Sequence, residues 1–96
     1  MDHVDRSQSV LILKALADEV RLGIVKDIAS QADVVPSCDI VRSCARRLEL
    51  SQPAMSHHFK RLVDAKILLV EKRGTENFYR FNRPLFKVYG IEISKL

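Results

Sequence analysis

The chain has 96 residues and a mass of 11.0 kDa, enough for one domain and not comfortably for two. With 47% hydrophobic and 29% charged residues it has an ordinary globular composition, which argues against intrinsic disorder. No apolar run approaches the length of about 20 residues that a bilayer needs. The formal charge of +4 is uneven: residues 1–36 carry six acids and four bases, whereas residues 37–83 carry five acids and ten bases. The middle of the chain is therefore a candidate polyanion-binding surface, with nucleic acid the default partner. The plainer alternative is a set of solvated lysines and arginines. Met1–Gln8 is polar and lacks the apolar core of a signal peptide. Two cysteines make no disulfide framework, so a cytoplasmic protein is expected. A core this small is marginal alone, which favours sharing one with a second copy.

Apolar residues recur at helical spacing from Val10 to Ala32: Val10, Leu11, Leu13, Leu16 and Ala17, then Val20, Ile24, Val25, Ile28 and Ala29. Asp18 stands where the two runs meet and suits the N-cap of a second helix, with Glu19 in its first turn. Ala32–Ser37 reads as a loop, and Ser37 as the cap of a third helix over Cys38–Leu48. Ser51 and Pro53 open a fourth, Gln52–Ala65, whose inner stripe is Met55, Phe59, Leu62 and Val63. The period then changes to two. Ile67–Arg73 and Asn77–Asn82 read as strands joined by a turn over Gly74, Thr75 and Glu76. Pro84 opens a last amphipathic helix, Leu85–Leu96. The fold class expected is mainly α with a small β-hairpin, a winged helix-turn-helix of order α-α-α-α-β-β-α that dimerises through its terminal helices. It is a single domain over residues 1–96, with the helix-turn-helix at about 38–65, the wing at about 67–82 and the dimerisation helix at about 84–96. In that architecture the helix after the turn enters the DNA major groove.

Three motifs then become specific. Residues 13–25, LKALADEVRLGIV, resemble the opening "LKALADPTRLRIL" of the ArsR/SmtB family of bacterial transcriptional regulators. Residues 50–62, LSQPAMSHHFKRL, look like that family's recognition element, "LSQSTVSHHLKxL". Asp64-Ala65-Lys66-Ile67-Leu68, followed by Tyr79-Arg80-Phe81-Asn82, is similar to its "EAGLV…YYSLN" wing. The resemblance covers residues 10–83 and implies a homodimeric repressor that binds an inverted-repeat operator on double-stranded DNA. Glu19-Val20 departs from the family's Pro-Thr. Lys66 stands where Gly usually ends the recognition helix, and a non-Gly residue in the left-handed conformation costs about 1–2 kcal/mol. The segment around Cys38 and Cys44 is longer than usual, so its alignment is loose.

Ser51, Gln52, Ser56, His57, Lys60 and Arg61 are the candidate DNA contacts of the recognition helix. Gln can bond adenine bidentately, Ser and His can reach base edges or phosphates, and the two cations suit phosphate or guanine. The bland alternative is the polar face that every amphipathic helix has. His58, one turn from Met55, reads as a partly buried packing residue. Lys72, Arg73, Asn77 and Arg80 surround the hairpin and are candidates for backbone contact. Leu11, Leu85, Phe86, Tyr89, Ile93 and Leu96 are the candidate dimer surface.

Cys38 and Cys44 lie six residues apart, about 120° around a helix and about 9 Å along it, so they suit neither one metal ion nor a disulfide. Cys44 reads as core, and Cys38 as a thiol that a helix N-terminus can activate. A metal- or thiol-responsive site joining Cys38 to His3 or Asp2 across subunits is the weaker reading. No metal, cofactor or catalytic constellation is expected. Three glycines form no phosphate loop, and the effector, if there is one, is unknown. A winged helix used for contact with an acidic protein is the rival reading.

Overall fold

A computed structural model describes residues 4–31, 35–36 and 51–96. The expected third helix, Cys38–Leu48, lies outside them, as do Cys38, Cys44 and His3. The chain opens with α1 (Arg6–Leu16) and α2 (Glu19–Ala29). A two-residue strand β1 (Val35–Pro36) precedes α3 (Gln52–Asp64), the hairpin β2 (Leu68–Arg73) and β3 (Glu76–Phe81), and α4 (Arg83–Val88). A single 3-10 turn, Ile93–Lys95, closes it. Among the described residues no helix is long and apolar enough to cross a membrane.

Short polar side chains start each of the described α-helices. The carboxylate of Asp5 accepts from the Ser7 amide at 2.9 Å and that of Asp18 from the Arg21 amide at 3.0 Å. The Ser51 hydroxyl accepts from Ala54 and the Asn82 amide oxygen from Leu85. Each such cap is worth about 1 kcal/mol. Asp18 and Ser51 do what the sequence pattern anticipates, and Asp5 extends α1 four residues ahead of the expected apolar run.

Besides the hairpin turn at Gly74, two helix ends reverse the chain through a positive φ. At the end of α3, Lys66 has φ +64. Its amide donates to Val63 and that of Ile67 to Leu62, at 2.9 and 3.0 Å. This is the paired bonding of a Schellman cap, and the apolar side chains at its two ends, Leu62 and Ile67, are both fully buried. Gly90 repeats the arrangement at φ +68, with Gly90 bonding Lys87 and Ile91 bonding Phe86. That second cap corrects the expected helix over Leu85–Leu96. The segment is α4, a glycine reversal and the short 3-10 turn, because Gly90 ends the helix after Val88.

The sheet order is β1-β3-β2, antiparallel throughout, with Val35 opposite Tyr79 and Arg73 opposite Glu76. Val35–Pro36, a loop by its sequence pattern, is an edge strand, where a proline's missing N–H is tolerated. On the inner face of β3, Tyr79 stacks on Phe59 of α3 at 4.7 Å, and Phe81 meets Phe86 of α4 edge-on at 4.7 Å. Around these aromatics Ile12, Ile24, Ile28, Met55, Leu62 and Leu68 are essentially unexposed. In α1 the buried residues are Ile12, Ala15 and Leu16, while Val10, Leu11 and Leu13 face outward. Phe86 and Ile93, expected on a dimer surface, are only 2% and 9% exposed and belong to the protomer's own core. Leu85 and Tyr89 pack against that core, whereas Leu11 and Leu96 stay about half exposed.

The two caps give opposite expectations. Lys66→Gly removes left-handed strain and should stabilise the fold by about 0.5–1 kcal/mol, whereas Gly90→Ala introduces that strain and should cost about 1–2 kcal/mol. Urea midpoints of the two variants check this; a destabilised Lys66→Gly chain contradicts the cap geometry.

Candidate nucleic-acid interface

Helix α3 presents two faces at helical spacing. Met55, Phe59 and Leu62 point into the core; Ser56, His57, Lys60 and Arg61 are exposed on the other side. Gln52 is its first residue, and Ser51 lies just before it with its hydroxyl already used as the cap. Lys60 pairs with Asp64 at 3.0 Å one turn on, and the Arg61 guanidinium donates to His57 Nε2 at 3.4 Å. Exposed pairs of this kind contribute at most about 1 kcal/mol, so both cations can exchange these partners for a phosphate at small cost.

The wing candidates divide between two faces. Lys72 and Asn77 are opposite one another in the register, on the face that carries Tyr79 and Phe81 and packs toward α3. Arg73 and Arg80 lie on the other face with Glu71 and Phe78. All four are exposed. Arg73 is held in place: Nη2 and Nε donate to Glu71 Oε2 at 2.9 and 3.2 Å, and its guanidinium lies 4.6 Å from the Phe78 ring centre. Arg80 is opposite Leu69, toward the foot of the hairpin, away from the Gly74-Thr75 tip. The structure thus brings Lys72 and Asn77 to the side of α3 and separates Arg73 and Arg80 from them. Among the described residues no group of three His, Cys, Asp or Glu side chains is placed to hold a metal ion.

One set of contacts escaped sequence reasoning. The Arg21 guanidinium donates through Nε to the carbonyl of Ala15 at 2.7 Å and reaches His58 Nδ1 at 3.3 Å. Asp18 Oδ2 lies 3.9 Å from the same nitrogen. Arg21 therefore ties the end of α1 and the start of α2 to α3. Arginine only donates, so Nδ1 must accept and His58 is the neutral Nε2–H tautomer. Burial pushes the His58 imidazole below its ordinary pKa of 6.5, with the Asp18 carboxylate opposing and Arg21 reinforcing the shift. The Arg21 backbone N–H holds the Asp18 carboxyl below the usual range, against the effect of burial. The His58 side chain is 16% exposed, in keeping with its place beside the apolar stripe. No spacing rule relates residues 21 and 58.

Comparison with known proteins agrees with this architecture. Residues 39–68 match the family model described as bacterial regulatory protein, arsR family. The chain is 35% identical over 74 residues to the arsenical resistance operon repressor of Staphylococcus aureus, an alignment covering 77% of this chain and 65% of that one. The chain thus spans just under two thirds of that relative's length. Its fold is similar to that of HlyU from Vibrio cholerae, with a TM-score of 0.63 and 27% identity over 88% of this chain and 94% of that one. A structure described as the homodimeric winged helix-turn-helix DNA-binding domain of a possible ArsR-family regulator from Mycobacterium bovis superposes with a TM-score of 0.66. It is 20% identical and covers 92% of this chain and 82% of its own.

The His58 environment gives stability a pH dependence. A histidine whose pKa is lowered on folding takes up its proton more readily in the unfolded chain, so stability is fullest above pH 6.5 and falls as pH drops below it. Urea midpoints at pH 7.5 and 5.5 should show a loss that His58→Gln diminishes, since glutamine offers an acceptor without titrating. An equal loss in both chains contradicts the assignment.

Proposed function

We propose that this chain, which resembles the arsR family of bacterial regulatory proteins over residues 39–68 and an arsenical resistance operon repressor over 74 residues, is a cytoplasmic, homodimeric repressor that binds an inverted-repeat operator in double-stranded DNA. The observation that carries the reading is α3 itself: a helix anchored by Met55, Phe59 and Leu62 whose outer face is polar and cationic, beside a basic hairpin. An α-helix fits the major groove, where each base pair shows a distinct pattern of donors, acceptors and methyl groups. In this reading Gln52, Ser56 and His57 meet base edges, Lys60 and Arg61 anchor phosphates, and Ser51 keeps the helix start in register. Lys72 and Asn77 contact the backbone on the side of α3, while Arg73 reaches it from near the hairpin tip. The role is binding, and repression follows from occupying promoter DNA.

Two copies are needed for an inverted repeat. The protomer measures 38 × 28 × 21 Å, and half-sites one helical turn apart are separated by about 34–36 Å. The outer half of α1 leaves Val10, Leu11 and Leu13 exposed, with Leu96 a further exposed apolar side chain. In this reading α1 contributes to the surface that a second protomer covers.

On an operator recovered by random-library selection, binding should weaken with salt with a log–log slope of about −5 to −7 for a dimer neutralising six to eight phosphates. Gln52→Ala or His57→Ala should cost about 1–3 kcal/mol on that operator and little on random DNA. Arg73→Ala should weaken both DNAs alike and flatten the slope by about one unit for each phosphate no longer neutralised. If the Arg73 variant alone loses discrimination, the hairpin reads the sequence and the helix assignment is wrong.

Light scattering at micromolar concentration should report twice the chain mass. Val10→Glu with Leu11→Glu should bring it to one chain mass with helical circular dichroism retained, because both side chains are exposed within the protomer. A parent chain that stays monomeric contradicts the two-fold operator.

A further inference from the structure

A cleft of about 520 Å³ opens between the C-terminal half of α2, the foot of β3, and the segment from α4 to the 3-10 turn. We propose that it binds a small amphiphilic carboxylate, an organic acid with a compact aromatic or short acyl body. The proposal goes beyond DNA binding and does not depend on it.

The volume falls within the range of about 300–1,000 Å³ typical of small-molecule sites. The floor is apolar, formed by Phe81, Phe86, Ile91 and Ile93, and it suits a hydrocarbon or aromatic body. The rim is cationic: Lys26, Arg83 and Lys87 stand against one acid, Glu92. Lys95 pairs with that acid at 3.2 Å. Arg83 is a wall of the cleft. Its guanidinium donates to the carbonyls of Ala29 and Gln31 at the end of α2, and it lies 5.5 Å from the Phe81 ring centre. Recognition of the anion falls to Lys26 and Lys87. Lys26 Nζ donates to a main-chain carboxyl oxygen of Leu96 at 2.9 Å, a bond that uses one of the three hydrogens an ammonium carries and leaves two for a ligand. Positive charge above an apolar floor is focused by the low-dielectric wall, which favours a carboxylate over a neutral ligand of the same shape.

The site is separate from the surface assigned to DNA. Phe81 ends β3 at the foot of the hairpin, about 17 Å of strand from Glu76 near its tip. Phosphate contact at the tip and a ligand at the foot can therefore be told apart by residue.

The test is amide-resolved NMR titration of the full chain with 1-naphthoate, with neutral 1-naphthalenemethanol and inorganic phosphate as comparisons. Naphthoate should give saturable shifts confined to residues around Ser30, Phe86, Ile91 and Ser94. The alcohol should bind at least tenfold more weakly, and phosphate should not saturate the site. Lys26→Gln with Lys87→Gln, both exposed positions, should weaken naphthoate about tenfold while leaving the remaining spectrum in place. Shifts scattered over surface lysines, equal binding of acid and alcohol, or an affinity unchanged in the double variant would each overturn the proposal. Duplex DNA shifting the same amides would reassign the cleft to the phosphate backbone and overturn it too.

Discussion

The stack of Tyr79 on Phe59 fixes where α3 can be. It joins the central strand of the sheet to the middle of α3, with near-parallel rings at 4.7 Å. Two residues along the same face of β3, Phe81 does the equivalent for α4 through Phe86. β3 is paired on both edges, so it is the least free element of the hairpin and the natural reference for the helices around it. Buried aromatics of this kind contribute about 3–5 kcal/mol each when judged by truncation to alanine, a large share of the stability of a small domain.

The ends of α3 are held by polar groups. At its C-terminus the Gln8 amide donates to the carbonyl of Ala65 and the Asn82 amide to that of Lys66, each at 2.8 Å. One tie comes from α1 and the other from the junction of β3 with α4. Near the N-terminal half, Arg21 reaches His58 while bound to Ala15. The inner face is therefore set by packing and the axial position by hydrogen bonds, which leaves the exposed face little freedom to rock. A face that presents Ser56, His57, Lys60 and Arg61 in fixed geometry is what direct reading of base edges requires, whereas phosphate contact from the hairpin tolerates more motion.

Much of this is legible in the chain because the signals are local. Asp18 and Ser51 announce helix starts. The alternation in β2 and β3 gives the correct faces, and Lys66 in place of a glycine correctly marks a left-handed cap. Helix α3 reads cleanly because apolar and polar positions separate at a period of 3.6. The first helix does not, since Val10, Leu11, Ile12 and Leu13 form an unbroken apolar run with no phase of its own, and only packing decides that Ile12 goes inward. Gly90 is a stop signal in plain view, but the apolar spacing of Leu85, Tyr89, Ile93 and Leu96 outweighs it on a sequence reading. The strand at Val35–Pro36 is set by partners more than forty residues away. The Arg21–His58 contact likewise spans thirty-seven positions, and no local pattern encodes either. Of the proposed DNA contacts, residue types and faces are readable, but the division of the wing residues between two faces follows from the register of the hairpin.

The proposal that α3 carries the base-reading groups and the hairpin the backbone contacts implies a definite footprint. Dimethyl sulfate probing of the selected operator measures it most directly, because guanine N7 lies in the major groove and adenine N3 in the minor groove. The account predicts protection of guanine N7 in two patches related by two-fold symmetry, about one helical turn or a multiple apart. Protection confined to adenine N3, or a single unsymmetrical patch, would contradict it.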